Sequence, residues 1–545
     1  MDTIQSVLYK KKGWIDMKSK ILERDKYIAE QINEEVVQEW IDIYKQNKQR
    51  IVIKIGCSTG MGKTYWTNNV LGNLVVKNNM RLLYMSPRAN LNIQQVKDTD
   101  DEVYASSFDI MSTQRLQNML IEAEDYTRKH DCDGLVQKED ISTHDIIVVD
   151  EAHLLINDAI FNQESLLVTE WLKQQNKIII LLSGTSYNLF NVPFCEDEIA
   201  YETEDDYSMV KEVIIANSDE QLINKTNELY KKLKDNEKIL VITEKILTSR
   251  GEDTKLSKWS RTLPSEEVSF IFSKGSDSKF KVFKAQVGEI KNGSFDGKVL
   301  IGTKAIAEGI NITDPNCKYL VQNFSDEDTH LQANGRLRNR EGITIVVRAY
   351  SNQELNGKVK ALKDKYGVAI DCFGNEEKTK LVQLRFKNKM YNLPNGFYRD
   401  SKGEIQINYI EMLVVLDIIN QYKYAIAHKE GHNGVLKEIY SKLKVPTDKI
   451  IDLDDVEQEL TNSELIAYFE KSIEIKERFI TNEQKDFLIK NCNCRDAKGR
   501  LLKTPKAINQ VLDACGIPYE IKIKETSKMI DGKKTKMKYW IVIAK

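Results

Sequence analysis

Proline is scarce in this chain, at eight among 545 residues, and no Pro-rich linker can be drawn from so few. The eight cysteines lie scattered at 57, 132, 195, 317, 372, 492, 494 and 515. That spread excludes a secreted disulfide framework and points to reduced thiols inside a cell. No apolar run reaches the length of a membrane helix. The longest candidate, around Ile410–Ile419, is broken by Glu411 and Asp417, so no membrane partner is expected. The first twenty residues lack a continuous apolar core before a cleavage site, so no signal peptide is expected. Excess charge of one sign is also missing. Lys plus Arg is 80, Asp plus Glu is 82, and the formal charge is -2. This excludes a uniformly basic binder but leaves room for a local basic patch. No low-complexity tract or short-period repeat is present, which excludes a solenoid.

What is present suffices for several cores: 41% of residues are apolar and 30% charged. At about 150 residues per domain the length predicts three to four domains. Residues 1–48 read as helical, with Ile28, Ile32, Val36, Trp40 and Tyr44 at four-residue steps. From Arg50 short apolar runs alternate with helical stretches. Arg50–Ile55, Arg81–Met85, Asp145–Val149 and Lys177–Leu182 form one set. Glu212–Ala216, Lys238–Thr243, Val268–Phe272, Lys298–Gly302, Cys317–Gln322 and Thr344–Ala349 form a second. The alternation predicts two α/β domains with mainly parallel sheets, at 49–210 and 211–351. A helical accessory region at 352–459, with a long buried helix over 405–430, and a basic module at 460–545 complete the expected order.

Cys57-Ser58-Thr59-Gly60-Met61-Gly62-Lys63-Thr64 joins a strand candidate to a helix candidate. Gly60 and Gly62 free the backbone to turn its N–H groups onto phosphate oxygens. The helix that follows presents its positive end to the same anion. Lys63 adds a full charge, and the Thr64 hydroxyl can hold Mg²⁺. Ser58, Thr59 and Met61 complete the cofactor loop. Cys57 stands where the strict pattern has glycine, and its small side chain is tolerable there. Asp150-Glu151-Ala152-His153 follows the apolar run Ile146–Val149. Carboxylates at the C-terminal end of a parallel strand face the crevice where phosphates bind. Asp150 can hold Mg²⁺ through its water shell, Glu151 can polarise the attacking water, and His153 can couple the site to its surroundings.

These motifs resemble those of superfamily-2 helicases of the DEAH type, in family order over about residues 50–350. Cys57–Thr64 resembles motif I, and Asp150–His153 matches motif II. Ser86–Leu91 resembles motif Ia and Ser112-Thr113-Gln114 the next backbone contact. Ser183-Gly184-Thr185 resembles motif III, Thr303 through Ile312 motif V, and Gln332–Arg338 motif VI. The resemblance implies two RecA-like domains, hydrolysis of ATP with Mg²⁺, and an arginine acting across the domain cleft. It implies catalytic roles for Gln332, Arg336 and a second arginine, Arg338 with Arg340 as the alternative, because Asn339 occupies the usual place. It further implies nucleotide contact at Gly309, coupling through Ser183 and Thr185, and nucleic-acid contact at Arg88, Thr113 and Thr303. The expected protein is a DNA helicase of replication or repair, similar to viral and phage replication helicases. It would act on single-stranded or forked DNA beside replication partner proteins, in the cytoplasm of a bacterial or phage-infected cell. An RNA helicase of the same chemistry, or an origin-binding protein using ATP as a switch, are the alternatives.

The end of the chain differs in charge. From Arg495 to Lys545 thirteen Lys/Arg stand against five Asp/Glu, a net +8, which leaves -10 for the rest. A helix candidate at Pro505–Ala514 precedes two extended runs around Asp531-Gly532, a hairpin turn signal, which predicts a winged-helix module. Ile521, Ile523, Tyr539, Ile541 and Ile543 are expected to share the hairpin's apolar face. Cys492-Asn493-Cys494 is too tightly spaced for a zinc knuckle. His428 and His432 lack the glutamate of a zinc protease.

Overall fold

The computed structural model describes residues 20–545 outside 24–25, 58–60, 87–106, 131–142, 158, 160–164, 185–193, 195–197, 204–205, 245–246, 251–252, 257–262, 264–266, 272–289, 292, 304–311, 338–340, 388–391, 401–402, 493, 495–501 and 531–532. The chain divides into two compact units, Met1–Ile450 and Ile451–Lys545.

The first unit contains two seven-stranded sheets. The first runs in the order Lys20–Leu22, Glu198–Thr203, Ile51–Gly56, Ile178–Ser183, Ile146–Val149, Leu82–Ser86, Phe108–Ser112, with every pairing parallel. Its central strands, Ile146–Val149 and Ile178–Ser183, are buried at every position. Strands covered on both faces read as unbroken apolar runs, which is why these were visible in the sequence. The second sheet has the order Val268–Ile271, Val299–Gly302, Lys238–Thr243, Cys317–Asn323, Thr344–Arg348, Glu212–Ala216, with Ile450–Asp452 at its edge. Its assigned pairs are also parallel. These are two tandem RecA-like domains.

The first 48 residues are not one helix. Lys20–Leu22 is an edge strand, and two helices, Ile28–Gln31 and Glu34–Asn47, follow it. The break falls at Asn33, whose side chain accepts from the Val36 N–H and starts the second helix. Ile28, Ile32, Trp40 and Tyr44 still share one buried stripe, packed on the first sheet.

The long apolar stretch near 410 forms a strand at Ile405–Ile407 and a helix at Tyr409–Ala427, capped by Asn408. That helix enters both domain cores. Ile410 and Val414 are buried among first-domain residues such as Leu155 and Leu172. Met412, Val415, Ile419 and Tyr422 are buried in the second-domain core. The Tyr409 hydroxyl donates to Glu170 at 2.6 Å on the first domain, and the Tyr422 and Ser325 hydroxyls lie 2.8 Å apart on the second.

The second unit runs helix Leu453–Glu474, an extended residue Phe479, helix Asn482–Cys492, helix Pro505–Ala514 and a hairpin of Tyr519–Ile530 with Lys533–Ala544. Phe479 and Trp540 exchange two backbone hydrogen bonds of 3.0 Å, adding a third short strand. The hairpin register corrects one expectation. Ile521 stands opposite Val542 and Ile523 opposite Trp540, whereas Tyr539 and Ile541 stand opposite Lys524 and Lys522. Opposed residues point to the same face, so Ile521 and Ile523 lie on one face and Tyr539, Ile541 and Ile543 on the other.

Candidate ATP site between the two domains

The helix after the phosphate loop begins at Lys63 and continues through a π turn at Thr67–Leu71 to Lys77. Gly62 caps its start at φ 81°, a left-handed conformation that favours glycine. The Trp66 indole N–H donates to the Ile32 carbonyl at 2.7 Å, and the Ile28 N–H to the Met61 carbonyl at 3.0 Å. These bonds tie the loop and its helix to the preceding helices. The Lys63 ammonium donates to the Cys57 carbonyl at 3.3 Å, so its charge hangs over the loop. Thr64 is exposed in the first turn. Ser58, Thr59 and Gly60 lie outside the described residues. Cys57 is buried, and burial pushes its thiol up to about 11, which removes it as a ready redox switch.

Asp150 and Glu151 leave the C-terminal end of Ile146–Val149. The Asp150 N–H donates to the Met85 carbonyl and the Ala152 N–H to the Leu182 carbonyl, each at 2.8 Å. The turn is therefore fixed to the strands on both sides. Glu151 sits at φ 47°, a strained value for a non-glycine residue of the kind concentrated at functional sites. Burial raises the Asp150 carboxyl above its ordinary range, and the neighbouring Glu151 charge raises it further. Burial also works against Glu151, but Lys63, His153 and Arg336 outweigh it and hold that carboxyl low. Tyr84 donates to Asp150, and the Gly184 N–H to Glu151. His153 is buried, with Nδ1 3.0 Å from the Ser183 hydroxyl and 3.4 Å from a Glu151 oxygen. His153 and Ser183 thus connect the Asp150–His153 turn to the end of the neighbouring strand.

The second domain supplies the opposite wall. Helix Glu327–Asn334 starts at Asp326, whose carboxylate accepts from the Thr329 N–H at 2.9 Å. The buried His330 ring lies 2.7 Å from the Gln322 side-chain oxygen and 3.0 Å from the Phe324 carbonyl. Asn334 accepts from Gln322 at 2.6 Å. This buried network fixes the helix that carries Gln332 and leads to Arg336. The Ile312 N–H donates to the Arg336 carbonyl at 2.8 Å. Arg336 is 4% exposed, and its charge is felt at Glu151 on the other domain. Gln332 is buried too, with its Oε1 lacking a hydrogen-bond donor among the described residues. Arg338, with its alternative Arg340, Gly309, Thr185 and Arg88 lie outside the described residues. Thr113 opens helix Thr113–His130 at the C-terminal end of Phe108–Ser112, and Thr303 follows the C-terminal end of Val299–Gly302. Each lies at the C-terminal edge of its own sheet, as the phosphate loop does after Ile51–Gly56.

The site's chemistry fits a nucleotide with Mg²⁺. Glu151 Oε2, within ion-pair reach of His153, and Gln332 Oε1 accept no hydrogen bond among the described residues. No group of three or more metal-ligating side chains occurs among the described residues. Mg²⁺ needs none, since it retains waters and takes one or two protein oxygens beside phosphates. Thr64 and Asp150 are the residues that would hold it.

Three contributors were not read from the sequence. Tyr84 is a lone polar tip in the apolar run Leu82–Met85, which was its only signal. Tyr27 is 62% exposed, and its ring lies beside the phosphate loop, where a Cβ on Gly62 would come 3.4 Å from it. The third is helix Tyr409–Ala427, whose place in both cores depends on tertiary packing. His432 Nδ1 accepts from the Tyr350 N–H at 3.0 Å as a core residue, and burial raises the thiols of Cys492 and Cys494.

The fold is that of two tandem RecA-like domains facing each other across this cleft. Residues 26–188 match the family described as type III restriction enzyme, res subunit. No curated protein matches the chain. Among solved structures, S. cerevisiae Dbp5 bound to RNA and ADP BeF3 is 17% identical, over 59% of this chain and 84% of its own, with a TM-score of 0.36. Mss116p bound to ssRNA and AMP-PNP is 14% identical, over 78% and 92%, at 0.38. A DEAD box protein from the hyperthermophile Methanococcus jannaschii is 17% identical, over 60% and 90%, at 0.28.

Proposed function

We propose that this chain is an ATP-driven DNA motor, a helicase of replication or repair acting on single-stranded or forked DNA. One observation carries the reading. Glu151 on the first domain is held low by Lys63 of its own domain and by Arg336 of the second. A carboxylate kept ionised beside the phosphate loop can take the proton of an attacking water. Lys63 and Arg336 offset the negative charge that spreads over the transferring phosphoryl oxygens. Bound Mg²⁺ supplies further charge neutralisation of the phosphates. Gln332, with an unsatisfied amide oxygen, orients that water, and Tyr27 offers a ring face for the base.

Because charges from both domains meet at one carboxylate, closure completes the site and loss of the γ-phosphate removes the reason to stay closed. His153 and Ser183 relay that change to the strand ends. There Thr113 and Thr303 grip the backbone of the strand without reading bases, and the motif resemblance gives Arg88 the same role. The test is steady-state ATP hydrolysis with no nucleic acid, with single-stranded DNA and with single-stranded RNA, beside Lys63→Ala. Stimulation by DNA that is lost in the variant supports the reading. Stimulation by RNA alone assigns the motor to RNA, and indifference to both overturns the motor.

A further inference from the structure

The second unit carries surface chemistry that ATP hydrolysis does not use. Its core, around Phe469, Phe479, Leu488, Ile508, Leu512 and Ile521, packs three helices against one end of the hairpin. Each hairpin strand has 12 residues, roughly 40 Å at the usual strand rise. The buried residues end at Ile521 on one strand and Tyr539 on the other. The ribbon therefore continues some 20 Å beyond its own core, from the Glu525–Lys538 rung to the turn. A two-stranded ribbon gains little stability alone, so this length calls for a partner.

The exposed side chains say which kind. Lys536 and Lys538 stand out on the ribbon face that carries Ile521, where helix Pro505–Ala514 packs through Ile508 and Leu512, whereas Lys522 and Lys524 stand on the opposite face. Helix Pro505–Ala514 is held against the ribbon by Asn509. Its amide donates to the Ile521 carbonyl at 3.1 Å and accepts from the Ile521 N–H at 2.8 Å. With Pro505, Ile508 and Leu512 turned inward, Lys506 and Gln510 are left on the outer face. The acid on that helix, Asp513, is already taken by Lys545. Glu520 pairs with Lys522 and Glu525 reaches Lys538. Lys506, Lys524 and Lys536 have no ion-pair partner among the described residues.

We propose that residues 451–545 bind duplex DNA, with helix Pro505–Ala514 in the major groove and Lys536 and Lys538 of the hairpin on the phosphate backbone. One rigid helix beside a lysine ribbon matches B-form geometry, whose major groove is about 12 Å wide and admits a helix. The deep, narrow major groove of A-form RNA does not. Lysines two residues apart along a strand are spaced about 7 Å, close enough to reach neighbouring phosphates of one backbone. This site goes beyond the motor reading, and its failure leaves that reading standing.

The test uses the full chain and a blunt, fluorescently labelled DNA duplex about two helical turns long, followed by anisotropy across a salt series. Three charge reversals are combined, Lys506→Glu, Lys536→Glu and Lys538→Glu. The expected result is duplex affinity at least ~10-fold weaker and a salt dependence shallower by about 0.9 per lost phosphate contact. ATP hydrolysis without nucleic acid should stay as in the parent. The control reverses the exposed Lys231, Lys232 and Lys234 of the first unit and should leave duplex affinity within about twofold. Parent-like binding by the first triple variant, or an equal loss in the control, would overturn the proposal. So would tighter binding of duplex RNA than of duplex DNA.

Discussion

Replacing Ile410 by alanine separates a shared helix from an ordinary core residue. Ile410 is fully buried, yet its burial lies in the first domain while most of its helix packs into the second. Removing a buried isoleucine side chain to alanine costs about 2–5 kcal/mol. For a residue inside one domain that cost falls on unfolding. Here it falls first on docking of the helix to the first domain, because Ile410 enters that core from a helix packed mostly in the second. A loss of about 2 kcal/mol lowers the docked fraction ratio ~30-fold. The hydrolysis rate, which follows the docked fraction, should then drop by up to that factor, while nucleotide affinity, set by Gly62, Lys63 and Thr64 on the first domain, changes little. The assay pairs steady-state ATP hydrolysis with the distance between dyes on the two domains. Leu240→Ala, fully buried in the second domain alone, is the comparison. The reasoning is refuted if Ile410→Ala lowers the melting temperature as Leu240→Ala does but leaves the inter-dye distance and the rate unchanged.

Three further outcomes follow from particular contacts. Lys54 and Glu198 form an ion pair of 2.6 Å inside the first sheet, both essentially unexposed. Lys54→Ala strands the glutamate and should cost about 3–5 kcal/mol in denaturant melts, with much of that recovered when Glu198→Ala is added. Gly62→Ala forces φ 81° on an alanine and should weaken nucleotide binding about tenfold or more in a binding titration, with the melting point little changed. Asn509→Ala leaves both Ile521 backbone groups without their side-chain partner and should destabilise the second unit by about 1–3 kcal/mol, read by hydrogen exchange at Ile521.

Much of this architecture is written in short-range pattern. Glu212–Ala216 and Lys238–Thr243 are strands at those residues because both faces are covered and every inner position must be apolar. Phe108–Ser112 escaped notice because it is the edge of its sheet, where Asp109 is tolerated and the pattern is broken. Glu198–Thr203 escaped because polar residues bracket its short apolar centre. The phosphate loop and the Asp150–His153 turn are local and were legible. The meeting of Arg336 with Glu151 was legible only through resemblance, since no local rule joins residues 185 positions apart. Helix Tyr409–Ala427 announced itself by being apolar on most sides, which calls for more than one covering partner, but not by which partners. The hairpin turn was evident, but its register was not. The opposition of Ile521 to Val542 continues the pairing of Ile530 with Lys533, and that register splits the expected apolar face in two.

The central claim is that an arginine from the second domain completes hydrolysis on the first. Single-turnover ATP hydrolysis by Arg336→Ala, with nucleotide affinity measured on the same preparation, tests it most directly. The account predicts a rate ~10³-fold lower or more, with affinity within about tenfold of the parent. A parent-like rate in Arg336→Ala would contradict it.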